Sequence, residues 1–201
     1  MDSAIILDLD ATLVDTFGSQ RDWHLAIQEL SKRKNDRIFQ INADGLFLWG
    51  TKRPYTDTFL KSCFENADVV GVWSAGSKEY VDEVVQELFV SAPRSPDFVW
   101  SKEDCTPTLC KDKIVKQKPL SKFWSAHPHV DPNRTIIFDD AKRVCAQHPR
   151  NHIMVKPWEG GVETLQKEDD TLRVLTTWIS ENMSRSKDIT TIPVRSYLDG
   201  R

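Results

Sequence analysis

The stretch "IILDLDATLVDT", residues 5–16, contains the strand end that decides the fold. An apolar run of the kind that forms a buried strand stops at Asp8, and Asp10 follows two positions later. Alternate residues of a strand point to the same side, about 6–7 Å apart, so the two carboxylates would project together. Because unpaired buried charge is costly, this strand end predicts a site that compensates both charges.

The rest of the chain alternates strand and helix signals, as is typical of an α/β domain with a mainly parallel sheet. Apolar runs predict strands over "AIILDLD", "DVVGVWS", "DFVWS", "RTIIFDD" and "NHIMV", and a strand or one arm of a hairpin over "GLFLWG". Helical spacing predicts helices over "DWHLAIQELSKR", "YTDTFLKSCFENA", the segment after Ser77, "LSKFWSA" and residues 172–183. We expect residues 102–118 to be irregular. Residues 1–183 are predicted to form one domain, and the polar residues 184–201 a flexible tail.

Composition limits the classes of function. The chain has 201 residues, of which 39% are hydrophobic, which is enough for one sizeable core. Its net charge of −3 gives no electrostatic case for binding nucleic acid or an anionic membrane. No apolar run approaches the roughly 20 residues of a membrane helix, and no signal peptide is visible. We therefore expect an intracellular protein, in cytoplasm or nucleus, with its four cysteines reduced.

Three apolar runs end on reactive side chains: Asp8 and Asp10, then Ser74, then Asp139 and Asp140. Each of these residues alone could begin a turn or cap a helix. In open α/β sheets, however, ligands bind at the carboxyl ends of the strands. If the three strands are parallel, their polar ends meet at one edge, and the sequence predicts a shared site there.

Such a site suits phosphoryl chemistry. One carboxylate can attack as a nucleophile while its neighbour donates and then accepts a proton. Clustered carboxylates repel one another and need a cation, and oxygen ligands with substrate phosphate suit Mg²⁺. A hydroxyl and an ammonium would complete a pocket for a phosphoryl group.

The motif "DLDAT" resembles the Asp-x-Asp-x-Thr/Val motif of the haloacid dehalogenase (HAD) superfamily of phosphotransferases. Within it, the chain resembles the NLI-interacting-factor-like phosphatases, which include small phosphatases of the RNA polymerase II C-terminal domain. The resemblance covers roughly residues 4–179. Its further motifs, in family order, are "KRPYTDTFL", "VWSAGSKEYVDEVVQEL", "FVWSKEDC", "KPLSKF" and "TIIFDDAKRVCAQHPRNHIMVKPW". The resemblance implies a Rossmann-like HAD core with helices on both faces, a small β insert and no large cap.

The resemblance assigns roles to the first motif. Asp8 would be the nucleophile that forms an aspartyl-phosphate, and it would also bind the metal. Asp10 would protonate the leaving group and then activate water, and its main-chain carbonyl would bind Mg²⁺. Thr12 would hold the loop by a hydrogen bond and is grouped with the phosphate-binding residues. Ala11 departs from the family, which usually has an acidic residue there.

The later motifs supply the remaining roles. Ser74 and Lys118 would bind phosphate oxygens, and Asp139 and Asp140 would hold the metal directly or through water. Lys116 is a rival for Lys118, which is preferred because the helix after it aligns with the family pattern. The family's small phosphatases often have asparagine where this chain has Asp140.

The resemblance and the spacing together predict a Mg²⁺-dependent phosphatase for phosphoserine or phosphothreonine in proteins. The chain between the motifs leaves little room for a large cap. An open cleft favours a phosphorylated segment of a protein, and a Ser-Pro-rich phosphopeptide is the candidate. Phe98 and Trp100 could line a groove for such a peptide, or could equally be core. The alternatives are a non-catalytic protein-binding scaffold and a phosphatase for nucleic-acid ends or small metabolites. A separate zinc site from Cys105, Cys110, His127 and His129 is a weaker possibility.

Overall fold

A computed structural model describes residues 1–18, 20–31, 37–110, 113–142, 144–162, 164 and 167–194. The strands are β1 (Asp2–Leu7), β2 (Val14–Phe17), β3 (Ile38–Ala43), β4 (Leu46–Lys52), β5 (Val69–Trp73), β6 (Phe98–Trp100), β7 (Thr106–Cys110), β8 (Lys113–Gln117), β9 (Val130–Asp139) and β10 (His152–Met154). The helices are α1 (Gln20–Ser31), α2 (Thr56–Asn66), α3 (Lys78–Phe89), α4 (Leu120–Ala126) and α5 (Thr171–Asn182). Two 3-10 turns cover Pro149–Asn151 and Ile189–Thr191.

The centre of the fold is a five-stranded sheet in the order β10-β9-β1-β5-β6, with every neighbouring pair parallel. Ile5 and Leu7 of β1 belong to the core beneath α2, α3 and α5, whereas Ile6 packs in a second core with residues of α4. Strands buried on both faces require the continuous apolar runs seen in the sequence. The predicted α/β architecture, with helices on both faces of a parallel sheet, is confirmed.

A small antiparallel sheet, in the order β2-β4-β3, lies in the interval between β1 and α2. Asp44 and Gly45 join β3 to β4 with φ angles of 52° and 73°. Two successive positive φ angles are the requirement of a tight type I′ hairpin, which Asp-Gly favours. Trp49 of β4 packs against Ala26 and Trp23 of α1. The segment "GLFLWG", predicted to be a strand or one arm of a hairpin, is therefore part of β4, and its partner strand β3 was not predicted.

The prediction that residues 102–118 are irregular is wrong, because β7 and β8 form an antiparallel hairpin there. Its tip carries a cross-strand pair, Leu109 and Ile114, whose residues are 72% and 75% exposed. Since the described side chains of β7 are exposed or only half-buried, its sequence lacks the apolar alternation of a half-buried strand. Pro107 within β7 further weakens the strand signal.

Part of the segment predicted to be a tail packs against the core. Ile189 is 1% exposed within the main core, and the turn Ile189–Thr191 lies against β9. Ile192 and Val194 also pack against this core, so these positions are held in place, while residues 195–201 lie outside the described residues and the predicted tail remains a prediction. No helix in the described ranges combines the length and apolar character needed to cross a membrane.

Candidate active site

The three polar strand ends meet at one edge of the central sheet. Leu7 pairs with Val72 on one side and Phe138 on the other, so Asp8 follows β1 beside the ends of β5 and β9. An open cleft of about 420 Å³ lies at this edge. Its lining includes Asp8, Asp10, Ala11, Ser74, Ala75, Gly76, Lys116, Lys118, Asp139, Asp140, Ala141 and Val144. The sequence-based expectation that the three strand ends form one site is thus met by their geometry.

Lys118 connects two of the carboxylates. Its Nζ donates to Oδ1 of Asp8 at 2.6 Å and to Oδ2 of Asp139 at 2.5 Å, and all three side chains are buried. Burial would lower the pKa of Lys118, but the charges and hydrogen bonds of the two carboxylates raise it above its ordinary value. The ammonium therefore stays charged, and the third of its three N–H donors is available to a ligand.

The rival lysine has a different position. Lys116 donates from Nζ to the main-chain oxygen of Ala75 at 2.9 Å and lies at the exposed side of the cleft. Lys118, by contrast, reaches the carboxylates at the base of the site. The geometry favours Lys118 as the lysine closest to the predicted nucleophile.

Asp8, Asp139 and Asp140 form a candidate cation site. One carboxylate oxygen of each lies within 4.8 Å of the others, close enough to share one ion. Burial, followed by repulsion from Asp8, raises the pKa of Asp140, as expected when anions are crowded without enough positive charge. The all-oxygen donor set fits a hard divalent cation such as Mg²⁺. The side chain of Asp10 is not part of this trio, and its predicted main-chain ligand remains a prediction.

Asp10 is partly buried and held by Tyr80, whose hydroxyl donates to Oδ1 of the carboxylate. The same tyrosine oxygen lies 3.0 Å from Oγ1 of Thr16. Burial raises the pKa of Asp10 to about 6, although the Tyr80 hydrogen bond opposes the rise. Burial likewise raises the pKa of Asp8 to about 6, against the nearby Lys118 charge. A carboxyl that titrates near neutrality can both give and take a proton.

The loop after Asp10 is fixed from several sides. Ala11 has a φ of 56°, in the left-handed region, and its carbonyl accepts from the main-chain N–H of Trp158 at 2.6 Å. Thr12 is fully buried and donates from Oγ1 to Oδ2 of Asp8 at 3.3 Å. Thr12 therefore holds the Asp8 carboxylate by a hydrogen bond, and its grouping with the phosphate-binding residues remains a prediction.

Arg53 joins this loop to the start of α5. Its Nε and Nη2 donate to the two oxygens of Asp169 at 2.9 Å each, and its Nη1 donates to the main-chain oxygen of Thr12 at 3.1 Å. Nη2 also donates to Oγ1 of Thr171 at 3.0 Å. Burial would raise the pKa of Asp169, but the hydrogen bonds and charge of Arg53 lower it. The sequence marked Arg53 within "KRPYTDTFL" but gave no sign of this role.

Ser74 faces the cleft from the end of β5. Ser74 is only 1% exposed, and its Oγ accepts a hydrogen bond from the main-chain N–H of Gly76 at 3.0 Å. That arrangement leaves its own O–H to donate toward a ligand. Its side chain and the free donor of Lys118 both belong to the cleft lining, where a phosphoryl group needs donors.

The other predicted features belong to packing. Within the described ranges, the acidic trio is the one group of three or more side chains placed to share a metal ion, so the possible Cys-His zinc site does not form. His127 stacks on Phe123 with ring centroids 4.6 Å apart. Phe98 and Trp100 are half-buried against the core that contains Phe123. This packing favours the interpretation that both rings belong to the core rather than to an open aromatic groove.

Comparisons with known proteins agree with the sequence motifs. A family model described as NLI interacting factor-like phosphatase matches residues 3–190. Ubiquitin-like domain-containing CTD phosphatase 1 of Xenopus tropicalis is 28% identical over 126 residues, covering 61% of this chain and 39% of that protein. The protein of the same name from Homo sapiens is 26% identical over 133 residues, covering 64% and 41%. The chain thus spans about two fifths of the length of these curated relatives.

Solved structures support the fold. Fcp1, titled an essential RNA polymerase II CTD phosphatase, superposes with a TM-score of 0.60 at 21% identity, over 90% of this chain and 50% of that one. The fission yeast Fcp1-R271A structure bound to beryllium fluoride gives a TM-score of 0.60 at 19% identity, over 98% and 54%. At these identities the likeness establishes a shared α/β architecture.

Proposed function

The chain belongs to the NLI interacting factor-like phosphatase family, and on that premise we propose that it is a Mg²⁺-dependent phosphatase for phosphoserine or phosphothreonine in proteins. One observation carries the proposal. Asp8 and Asp139 share the buried Lys118 ammonium at the base of an open cleft, with Asp140 close enough to complete a cation site. Carboxyl groups whose pKa values are raised by burial and by one another, and which line a cleft, are typical of functional sites.

Asp8 is the nucleophile. Lys118 fixes Oδ1 and Thr12 fixes Oδ2, so the carboxylate is held in one orientation at the edge of the cleft. One of its oxygens attacks phosphorus, a P–O bond forms to Asp8, and the P–O bond to the substrate serine or threonine breaks. The product of this step is an aspartyl-phosphate on Asp8 and a leaving alkoxide.

Asp10 handles the proton in both half-reactions. With a pKa raised to about 6, it can carry a proton to the leaving alkoxide, which departs as the free hydroxyl. The resulting Asp10 carboxylate then takes a proton from a water that attacks the aspartyl-phosphate. The P–O bond to Asp8 breaks, inorganic phosphate leaves, and Asp8 returns as a carboxylate. Tyr80 holds Asp10 in place by donating a hydrogen bond to its Oδ1.

The phosphoryl oxygens are bound by Ser74 and Lys118, which line the cleft and can each donate one further hydrogen bond. Asp8, Asp139 and Asp140 would hold Mg²⁺. The ion would neutralise charge on the phosphoryl group and on the crowded carboxylates.

The substrate class follows from the open cleft and from the relatives. A cleft at an uncovered sheet edge accepts a phosphorylated side chain on a polypeptide, and the relatives' names point to the RNA polymerase II C-terminal domain. A phosphorylated, Ser-Pro-rich polypeptide of this kind is our candidate substrate, and it would place the protein in the nucleus.

The test is phosphate release from a phosphoserine-proline peptide and from an aryl phosphate, with Mg²⁺ and with EDTA. Asp8→Asn should abolish release, because an amide is a poor nucleophile, while the exposed Asp57→Asn on α2 serves as the matched control. Release that requires Mg²⁺ and Asp8 is the expected result. Folded, Mg²⁺-loaded protein that turns over neither substrate would contradict the proposal and favour the protein-binding scaffold.

A further inference from the structure

A second and larger cavity, with a volume of about 800 Å³, lies beside the active-site cleft and is not used by the proposed mechanism. We name it the flanking groove, and its defining residues are Arg150, Ile153, Lys156, Trp178, Ile189 and Ile192. It lies between the edge strand β10, helix α5 and the packed C-terminal segment. This volume falls within the range of about 300–1,000 Å³ that is usual for ligand sites.

The flanking groove adjoins the active site. Asp140, a member of the candidate cation site, lines both the groove and the catalytic cleft. An extended polypeptide advances about 3.3–3.6 Å per residue, so a few residues carry a chain past a single side chain. A peptide whose phosphoserine lies against Lys118 can therefore place neighbouring residues in the groove.

The walls and rim of the groove differ in chemistry. Ile153, Trp178 and Ile189 are buried residues that give it apolar walls, whereas Arg150 and Lys156 are exposed cationic residues in its lining. The apolar walls suit an apolar side chain of an occupant, and the cationic rim suits negative charges beside it.

We propose that the flanking groove binds the part of a protein substrate that lies next to the phosphorylated residue. The occupant is an extended segment that combines an apolar side chain with acidic or phosphorylated residues. The apolar side chain packs on the walls, the negative charges pair with Arg150 and Lys156, and continuity through Asp140 joins this subsite to the active site. The inference rests on the proposed function and specifies its substrate class.

The test compares substrates that differ in their flanks alone. One phosphoserine peptide carries leucine and glutamate on both sides, a second of equal length carries serine and glycine, and an aryl phosphate has no flanks. We expect kcat/KM for the leucine-glutamate peptide to exceed that of the serine-glycine peptide by about tenfold, which corresponds to about 1.4 kcal/mol.

The variant R150E/K156E reverses both rim charges. It should remove most of that preference through a higher KM, and leave turnover of the aryl phosphate unchanged. The matched control, K61E/K78E, reverses two exposed charges that line neither cavity and should leave all rates unchanged. Equal rates for the two peptides, or an unchanged preference in R150E/K156E, would overturn the inference.

A binding measurement separates this inference from the proposed function. The fluorescently labelled leucine-glutamate peptide is titrated into Asp8→Asn protein with and without R150E/K156E. At least fivefold weaker binding in the charge-reversed protein supports the groove even if the parent shows no turnover. Equal binding overturns the groove even if the parent is an active phosphatase.

Discussion

Arg53→Lys would keep a positive charge beneath the loop after β1 while removing the planar fork that joins this loop to α5. The three side-chain nitrogens of Arg53 donate hydrogen bonds to Asp169, Thr171 and the main-chain oxygen of Thr12. A lysine ammonium is a point charge and cannot make the bidentate pair and the loop contact together. Because Thr12 in turn supports Asp8, we expect stability and catalysis to fall together.

The size of the effect follows from burial. The Arg53 side chain is 0% exposed and that of Asp169 is 14% exposed, so solvent screens this pair little. Removing one partner of a buried ion pair costs about 3–5 kcal/mol, and we expect this for Arg53→Met. Lysine retains part of the attraction, so Arg53→Lys should cost about 1.5–3 kcal/mol, in the range of a charged hydrogen bond. At about 2–4 °C per kcal/mol for a chain of this size, Arg53→Met would lower Tm by roughly 6–20 °C.

Urea unfolding and steady-state kinetics measure the two consequences separately. Kinetics are taken at a temperature where each variant is folded, so that any loss of kcat reflects a displaced loop. A displacement of about 1 Å at the nucleophile can cost about 10²-fold in rate. In the double variant R53M/D169L both charges are removed, and its unfolding free energy should exceed that expected from adding the single effects.

Two results would refute this reasoning. Arg53→Met within about 1 kcal/mol of the parent would show that the buried pair contributes little. A strongly destabilised variant with unchanged kcat would show that the pair holds α5 and the loop together without positioning the nucleophile.

Further predictions concern the lysine, the metal and the packing of the loop. Lys118→Met should abolish phosphate release, whereas Lys116→Met should retain most of it, and a phosphate assay on folded protein compares them. Folding raises the pKa values of Asp8 and Asp10 to about 6. Because both groups ionise more easily in the unfolded chain, the free energy of unfolding of the metal-free protein should fall as the pH rises from about 4 to 6. Mg²⁺ should therefore raise Tm more at about pH 7 than at about pH 4.5, and an equal rise at both would contradict the cation site. Gly160→Ala should lower the free energy of unfolding in urea by about 1–3 kcal/mol, because a Cβ there would lie 1.9 Å from Oγ1 of the buried Thr51. An unchanged free energy of unfolding would show that Thr51 can move aside.

Local patterns predicted the central sheet and most of the site. Buried parallel strands require continuous apolar runs, and polar residues at their carboxyl ends must meet if the strands are neighbours. Asp8, Ser74 and Asp139 were identified on that basis, and the sheet order β9-β1-β5 brings them together. The helix predicted from "LSKFWSA" coincides with α4.

The strands outside the central sheet were harder to predict. The β3–β4 turn carries the signal Asp44-Gly45, which could have identified the hairpin. The β7–β8 hairpin has a weaker sequence signal, because an exposed aliphatic pair and a proline within a strand differ from the usual strand pattern. Its form depends on cross-strand pairing rather than on burial of one face.

The contacts that fix the loop after β1 could not be predicted from local sequence patterns. Arg53 and Asp169 are 116 positions apart, and Tyr80 lies 70 positions from Asp10. Single-sequence periodicity reports which face of an element is buried, and it carries no information about which distant side chains meet. The pairing of Arg53 with Asp169, and of Tyr80 with Asp10, is therefore known from the structure and not from the sequence.

The central claim is that Asp8 becomes phosphorylated, and the Asp10→Asn variant tests it most directly. An aryl phosphate with a good leaving group needs no proton from Asp10, so the first half-reaction proceeds, while the second lacks its base. The reaction is quenched, the acyl-phosphate is reduced with borohydride, and the modified residue is located by peptide mass spectrometry. The account predicts modification at Asp8 that requires Mg²⁺. Phosphate release by the parent with no modification at Asp8 in the variant, or with modification at another residue, would contradict it.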